Sequence, residues 1–256
     1  MGVSRPRILA FPPLWRESRV GFEAARLLRS PLWRGEGVRP GKGRSVLLIP
    51  GFLAGDGTLS TMTKWLRANG YRTRRAGIRA NVACSEEACG RLEERLEAFA
   101  CRTGDRVALV GQSRGGVLAR AIATRRPDLV SCVVTLGAPT VSMLRVHPLV
   151  LAHVGVVGAL GTGRVPGLFS MRCLRGDCCK PFRSALRGPF PDDVRYIALY
   201  SRSDGIVDWR ACLDPAADEH VEISASHLGM AFNLAAYEQI ARVLAEDPPL
   251  PLARAA

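Results

Sequence analysis

Along residues 45–136, short apolar runs alternate with amphipathic stretches. Val46-Leu47-Leu48-Ile49 and Val107-Ala108-Leu109-Val110 are unbroken apolar runs of strand length, the pattern of strands covered on both faces. The alternation predicts strands over 45–50, 71–75, 107–111 and 130–136, with helices between them over about 58–69, 86–101 and 115–126. Ser85 stands where it could cap the second helix, and Glu86 and Glu87 complement the dipole of its first turn. Gly70 and Gly104 stand where two helices should stop. Strand–helix–strand repetition of this kind implies a parallel sheet wound with helices on both faces.

On either side of this core the pattern changes. Residues 18–29 have the periodicity of an amphipathic helix stopped before Pro31, and Gly35-Glu36-Gly37-Val38-Arg39-Pro40-Gly41 reads as a linker. The chain therefore divides into an N-terminal extension with a short helix, 1–44, and a main domain, 45–256. Within the main domain, residues 140–192 interrupt the rhythm. Residues 149–160 are apolar almost all round and too few to span a bilayer. They form either an ordinary core helix or a cap over a cleft that accepts apolar matter. A buried strand follows over 194–200, then a short strand-like run, His220-Val221-Glu222-Ile223.

Chemistry enters at Gly111-Gln112-Ser113-Arg114-Gly115, between the strand at 107–111 and the helix after it. In that setting G-x-S-x-G forms a sharp elbow that lifts the serine beyond the sheet edge, beside the positive end of a helix. Its glycines are required because a Cβ would collide where strand and helix cross. The other reading is a glycine-rich turn with an incidental serine. A reactive serine needs a base, and the base needs a third group to fix its tautomer. Of His147, His153, His220 and His227, chain order selects His227, in the loop after the last strand-like run. The acid should follow the strand at 194–200. Asp204 is first in line and precedes a glycine, Asp208 is the fallback, and either could instead close an Asx turn. Backbone N–H groups to meet a developing oxyanion would come from Arg114 and from Phe52, in the loop after the first strand.

Taken together, Ile49-Pro50-Gly51-Phe52, Gly111-Gln112-Ser113-Arg114-Gly115-Gly116, Leu136-Gly137-Ala138-Pro139, Ser203-Asp204-Gly205-Ile206-Val207 and Ser226-His227-Leu228-Gly229-Met230 resemble the α/β-hydrolase superfamily, in its bacterial lipase and esterase branch. The resemblance implies an α/β-hydrolase fold: a mostly parallel central sheet with helices on both faces and a cap insertion at 140–192. It implies a serine carboxylic-ester hydrolase working through an acyl-enzyme on Ser113, with His227 as base, Asp204 orienting it, and the N–H groups of Phe52 and Arg114 as the oxyanion hole. Leu53, Leu228 and Met230 would line the substrate, and no metal or organic cofactor would be needed. Acyl transfer or thioester cleavage on the same triad, and a non-catalytic lipid-binding protein on the same scaffold, are the alternatives. One position departs from the pattern. Many lipases place a histidine where this chain has Pro50, so any bond by which that histidine orders the oxyanion loop is missing.

Composition changes this picture in two places. The net charge is +13, and only three of the 36 basic residues are lysines, Lys42, Lys64 and Lys180. That charge suits either attraction to an anionic lipid surface or a solvated arginine-rich exterior. The basic residues are scattered and not interleaved with aromatics, which argues against a nucleic-acid groove. The eight cysteines include no C-x-x-C pair, and their spacing is poor for zinc. They are either disulfides, with the 173–179 loop tied to Cys212 in an oxidising compartment, or buried free thiols. Residues 7–15 are too short an apolar stretch, broken by Pro12 and Pro13, for a signal peptide. Pro6 occupies the place where a myristoylation signal at Gly2 wants Ser or Thr. The expectation is a cytoplasmic or peripherally membrane-associated protein acting on small-molecule or lipid esters, with an exported location left open by the cysteines.

Overall fold

The computed structural model describes residues 13–246 and 251–252; the expectations attached to Gly2, Pro6 and residues 7–12 lie outside them. Among the described residues six parallel strands form one sheet: β1 Ser45–Ile49, β2 Arg72–Arg75, β3 Val107–Gln112, β4 Val130–Leu136, β5 Arg195–Tyr200 and β6 Glu219–Glu222. Their order across the sheet is β2-β1-β3-β4-β5-β6. The expected strands are all present, the last shifted back by one residue. β1, β3 and β4 are buried at every position. The outer strands, Arg72-Thr73-Arg74-Arg75 and Glu219-His220-Val221-Glu222, are charged and half-exposed, which blunts the open sheet edges.

Side chains on a strand alternate between its faces, so each strand feeds two cores. Leu47, Ile49, Leu109, Val133 and Tyr196 point to one. There they meet α3 (Ser85–Thr103), α4 (Arg114–Arg125) and α7 (Lys180–Arg187), through Leu92, Leu96, Ile122 and Phe182. Val46, Leu48, Val110, Val134 and Ile197 point to the other. There they meet α1 (Val20–Arg29), α2 (Ser60–Ala68) and α8 (Leu234–Glu246), through Leu27, Trp65, Tyr237 and Ile240. Each fully buried aliphatic or phenylalanine side chain contributes about 1.5–3 kcal/mol, so both faces are needed. A buried ion pair, Arg120 to Asp214 at 3.0 Å, joins α4 to the loop before β6, and the same guanidinium donates to the Ala185 and Gly188 carbonyls beside α7.

The N-terminal extension is stitched to this body. Leu27 is fully buried, Trp65 Nε1 donates to the Leu32 carbonyl, and the expected linker is fixed to the turn after α2 by Gly41 N–H to Asn69 O. Of the stretch 140–192 expected to form a cap, α7 belongs to the main core. α5 (Pro148–Thr162), the segment after it and α6 (Arg172–Arg175) lie outside both cores. Only Val157 and Gly158 of α5 are buried, and Leu149, Val156 and Leu160 are 50%, 59% and 48% exposed. That excludes the ordinary core helix. No helix of the described residues is long and apolar enough to cross a membrane.

Two local expectations fail. Cys84, not Ser85, is the N-cap residue of α3. Ser85 is already helical, and its hydroxyl accepts instead from Arg114 Nη2 at 3.2 Å. The bridge between the 173–179 loop and Cys212 is not formed: none of the eight cysteines is in a disulfide. Cys212 is buried with Val146, Val207 and Ala211, while the loop's sulfurs meet Cys84.

Candidate active site

Ser113 stands alone between β3 and α4, with φ 51° and ψ −123°. A serine held at positive φ stores about 1–3 kcal/mol of strain, and tight packing enforces it here. A Cβ on Gly111 would lie 2.5 Å from the Gly115 oxygen and from Gly116. One on Gly115 would collide with the Ile49 carbonyl. The serine N–H donates to Leu136 O at 2.8 Å, and its carbonyl accepts from Gly116 N–H at 2.9 Å. The pentapeptide is therefore a built elbow and not a permissive turn.

After β5 the chain turns at Asp204, which is buried. Its Oδ1 accepts from the N–H groups of Ile206 and Val207 at 2.8 and 2.7 Å. Oδ2 is thereby left to face His227 Nδ1 at 2.7 Å. A carboxylate only accepts, so Nδ1 carries the proton and Nε2 is the free base. Burial presses the imidazolium toward losing its proton. The Asp204 charge and hydrogen bond, helped by the Glu17 charge, outweigh this and hold the His227 pKa above the ordinary 6.5. Two contacts bring this pair to the serine's turn. Gln112, the residue before Ser113, donates Nε2 to the His227 carbonyl at 3.0 Å. Gly137, at the end of β4, has φ 57°, and a Cβ on it would lie 3.1 Å from His227 Nδ1 and 3.2 Å from Asp204 Oδ2.

The rejected residues have other work. His147 caps α5 by accepting from Leu149 N–H, His153 Nδ1 meets the Leu149 carbonyl, and His220 Nε2 meets the Asp214 carbonyl. Asp208 pairs with Arg145 at 2.9 Å and accepts from Arg210 N–H.

The loop after β1 runs beside the elbow: a Cβ on Gly51 would stand 3.3 Å from Ser113 Cβ and 3.9 Å from its Oγ. The ordering group that the Pro50 position lacks is supplied by Asn81. Its buried amide donates to Pro50 O at 2.8 Å, and its Oδ1 accepts from Arg114 Nε at 3.1 Å. One side chain thus ties the loop carrying Phe52 to the residue after the serine. Asn81→Ala should lower kcat about tenfold, the order of a lost hydrogen bond (about 1.4 kcal/mol), with KM nearly unchanged. Steady-state kinetics on a soluble ester would check it, and an unchanged kcat would refute the coupling. Leu53 and Leu228 are half-exposed. Met230, expected to touch substrate, is fully buried in the core, and its sulfur lies against Gly137. Phe52 instead packs with Val82, with Val157 of α5 and with Phe169.

Sequence reading missed two acids. Glu17 Oε1 accepts from Gly205 N–H and His227 N–H, both at 2.9 Å, and its Oε2 accepts from Leu228 N–H at 2.8 Å. Glu23, buried in α1, accepts from the N–H and hydroxyl of Ser226. The N-terminal segment therefore holds both loops that carry the acid and the imidazole. One signal was available: these are the only acids before Glu36, in a segment rich in arginine.

No family model matches the chain, and none of the curated proteins matches it in sequence. Solved structures do. A monoacylglycerol lipase of Paleococcus ferrophilus aligns over 82% of this chain and 97% of its own, at 16% identity and a TM-score of 0.57. The mature lipase BlEst2 of Bacillus licheniformis aligns over 82% and 94%, at 18% and 0.60. A soluble variant of the monoglyceride lipase of Saccharomyces cerevisiae aligns over 81% and 87%, at 17% and 0.58. At such identities the likeness speaks for architecture, and together with the parallel sheet and the serine elbow it establishes that the chain has the α/β-hydrolase fold.

Proposed function

We propose that this chain is a serine carboxylic-ester hydrolase for apolar acyl esters. The observation that carries the reading is the buried His227–Asp204 pair, fixed through Gln112 to a serine held at positive φ. His227 Nε2 takes the Ser113 proton as Oγ attacks the acyl carbonyl, and Asp204 holds the imidazole in that tautomer and stabilises its charge. The backbone N–H groups of Phe52 and Arg114 receive the oxyanion, each such donor contributing about 2.7–4 kcal/mol to catalysis. His227 then protonates the leaving alcohol, and water, activated by the same imidazole, frees the acid.

The surroundings favour an apolar acyl group. Leu53 and Leu228 flank the proposed donor and base. The cap presents Leu144, Leu149, Val156 and Leu160 to solvent. That face, with the net positive charge, suits peripheral contact with an anionic lipid surface. We assign the cap role to residues 141–179. The solved structures that share the fold include a monoacylglycerol lipase and a monoglyceride lipase, which supports an acyl-ester substrate.

A fluorophosphonate probe should label the folded protein on Ser113, and Ser113→Ala should abolish labelling. Absence of labelling in the folded wild-type protein would sink the proposal. A series of p-nitrophenyl esters of rising chain length, with and without micelles, then separates a soluble esterase from an interfacial lipase.

A further inference from the structure

Four sulfurs from separate stretches of chain meet at the base of the cap: Cys84 at the start of α3, Cys173 in α6, and Cys178 and Cys179 in the 3-10 turn before α7. All four Sγ atoms lie within 4.8 Å of one another. Cys84 to Cys179 is 3.3 Å, Cys173 to Cys178 is 3.7 Å, and Cys178 to Cys179 is 3.9 Å. Thiolates around one tetrahedral ion at a metal–sulfur length of ~2.3 Å stand about 3.8 Å apart, close to the separations found here. A disulfide needs two sulfurs at ~2.0 Å; convergence of four is what a metal ion needs.

The charges nearby point the same way. Four thiolates around a divalent ion retain excess negative charge, which a protein interior accepts only if it is compensated. The partly buried guanidinium of Arg114 donates to Asn81 Oδ1, Ala83 O and Ser85 Oγ, all neutral acceptors. Two of these partners, Ala83 O and Ser85 Oγ, flank Cys84 in the chain, which sets a cation beside the cluster. Cys84 is the N-cap residue of α3, so its side chain stands at the N–H-rich end of that helix, where outer-shell donors can tune a thiolate ligand.

We propose that Cys84, Cys173, Cys178 and Cys179 bind one thiophilic divalent cation, zinc in the first instance, in a tetrahedral tetrathiolate site. Sulfur-only tetrahedral donor sets select zinc or iron over harder ions, and zinc adds no redox liability. This revises the sequence-based expectation of a metal-free chain. The role is structural, because all four positions are filled by protein. The ion pins the cap to the body where Phe169 N–H donates to Val82 O at 2.8 Å, one residue from the carbonyl that holds Arg114. The site does not depend on the hydrolase reading.

The test uses the full chain, purified in the presence of a reductant. Elemental analysis should find about one zinc per chain. Protein stripped by chelator and titrated with cobalt(II) should develop the intense visible bands of tetrahedral cobalt thiolate, displaced by zinc. Cys178→Ser, at an exposed position, should lose both signals. Cys101→Ser, an exposed thiol outside the cluster, should keep them. The thermal midpoint should fall on chelation in the wild-type protein and stay unchanged on chelation in Cys178→Ser. Folded, reduced wild-type protein that binds neither zinc nor cobalt overturns the proposal. So does a Cys101→Ser variant that loses metal as completely as Cys178→Ser.

Discussion

Asp204→Asn should lower kcat about ten-thousand-fold while leaving the fold intact. The reason lies in how the carboxylate is divided. Oδ1 accepts from two backbone N–H groups, Ile206 and Val207, so an asparagine must turn its carbonyl oxygen to them. Its NH2 then faces His227 Nδ1, where a donor now meets a donor. The ring relieves this by moving its proton to Nε2, and the nitrogen that should take the Ser113 proton no longer can. The negative charge that stabilised the imidazolium is lost in the same change. The check is kcat on a soluble p-nitrophenyl ester, with circular dichroism and the thermal midpoint as controls for folding. A loss smaller than tenfold would remove Asp204 from the mechanism and reopen the assignment to Asp208.

Glu17 should have the next largest effect. Truncation to alanine releases three N–H donors in the two loops that carry Asp204 and His227. A reacting group displaced by about 1 Å can lose about 100-fold in rate, and Glu17→Ala should fall by that order in kcat with little change in KM. Glu17→Gln keeps the shape of the side chain and, through its carbonyl oxygen, the bonds from Gly205 and His227. It gives up the bond from Leu228 and removes a charge that raises the His227 pKa. His227 must be neutral to act as base, so activity rises with pH through that pKa, and in the wild-type enzyme the acid limb should lie above 6.5. The glutamine variant should move the limb to lower pH, with Asp204 still holding it up. A kcat that falls with no movement of the limb would assign Glu17 a purely mechanical role. Unchanged kcat in both variants would leave it none.

What the sequence could express was local. The inner strands were legible because apolar runs bounded by polar residues have few other solutions, and Ser113 because its glycines are demanded by contacts a few residues away. His227 and Asp204 followed from chain order. Glu17 was hidden because its partners stand 188 and 210 residues away, and nothing near it in the chain announces them. Asn81 was hidden for the same reason: it replaces a missing histidine from a different loop. The meeting of Cys84 with Cys179 was hidden because the two stand 95 positions apart in the chain and are brought together by the fold, not by a motif. Ser85 was misjudged by one residue, since Arg114 claims its hydroxyl. Met230 was misjudged because proximity to His227 in the chain does not say which side of the sheet a side chain takes.

Ser113 is held where an L-residue is least comfortable, and the surrounding backbone leaves it no alternative. A glycine in its place would relax that twist at no steric expense, yielding a sturdier molecule without the hydroxyl that the proposed chemistry needs.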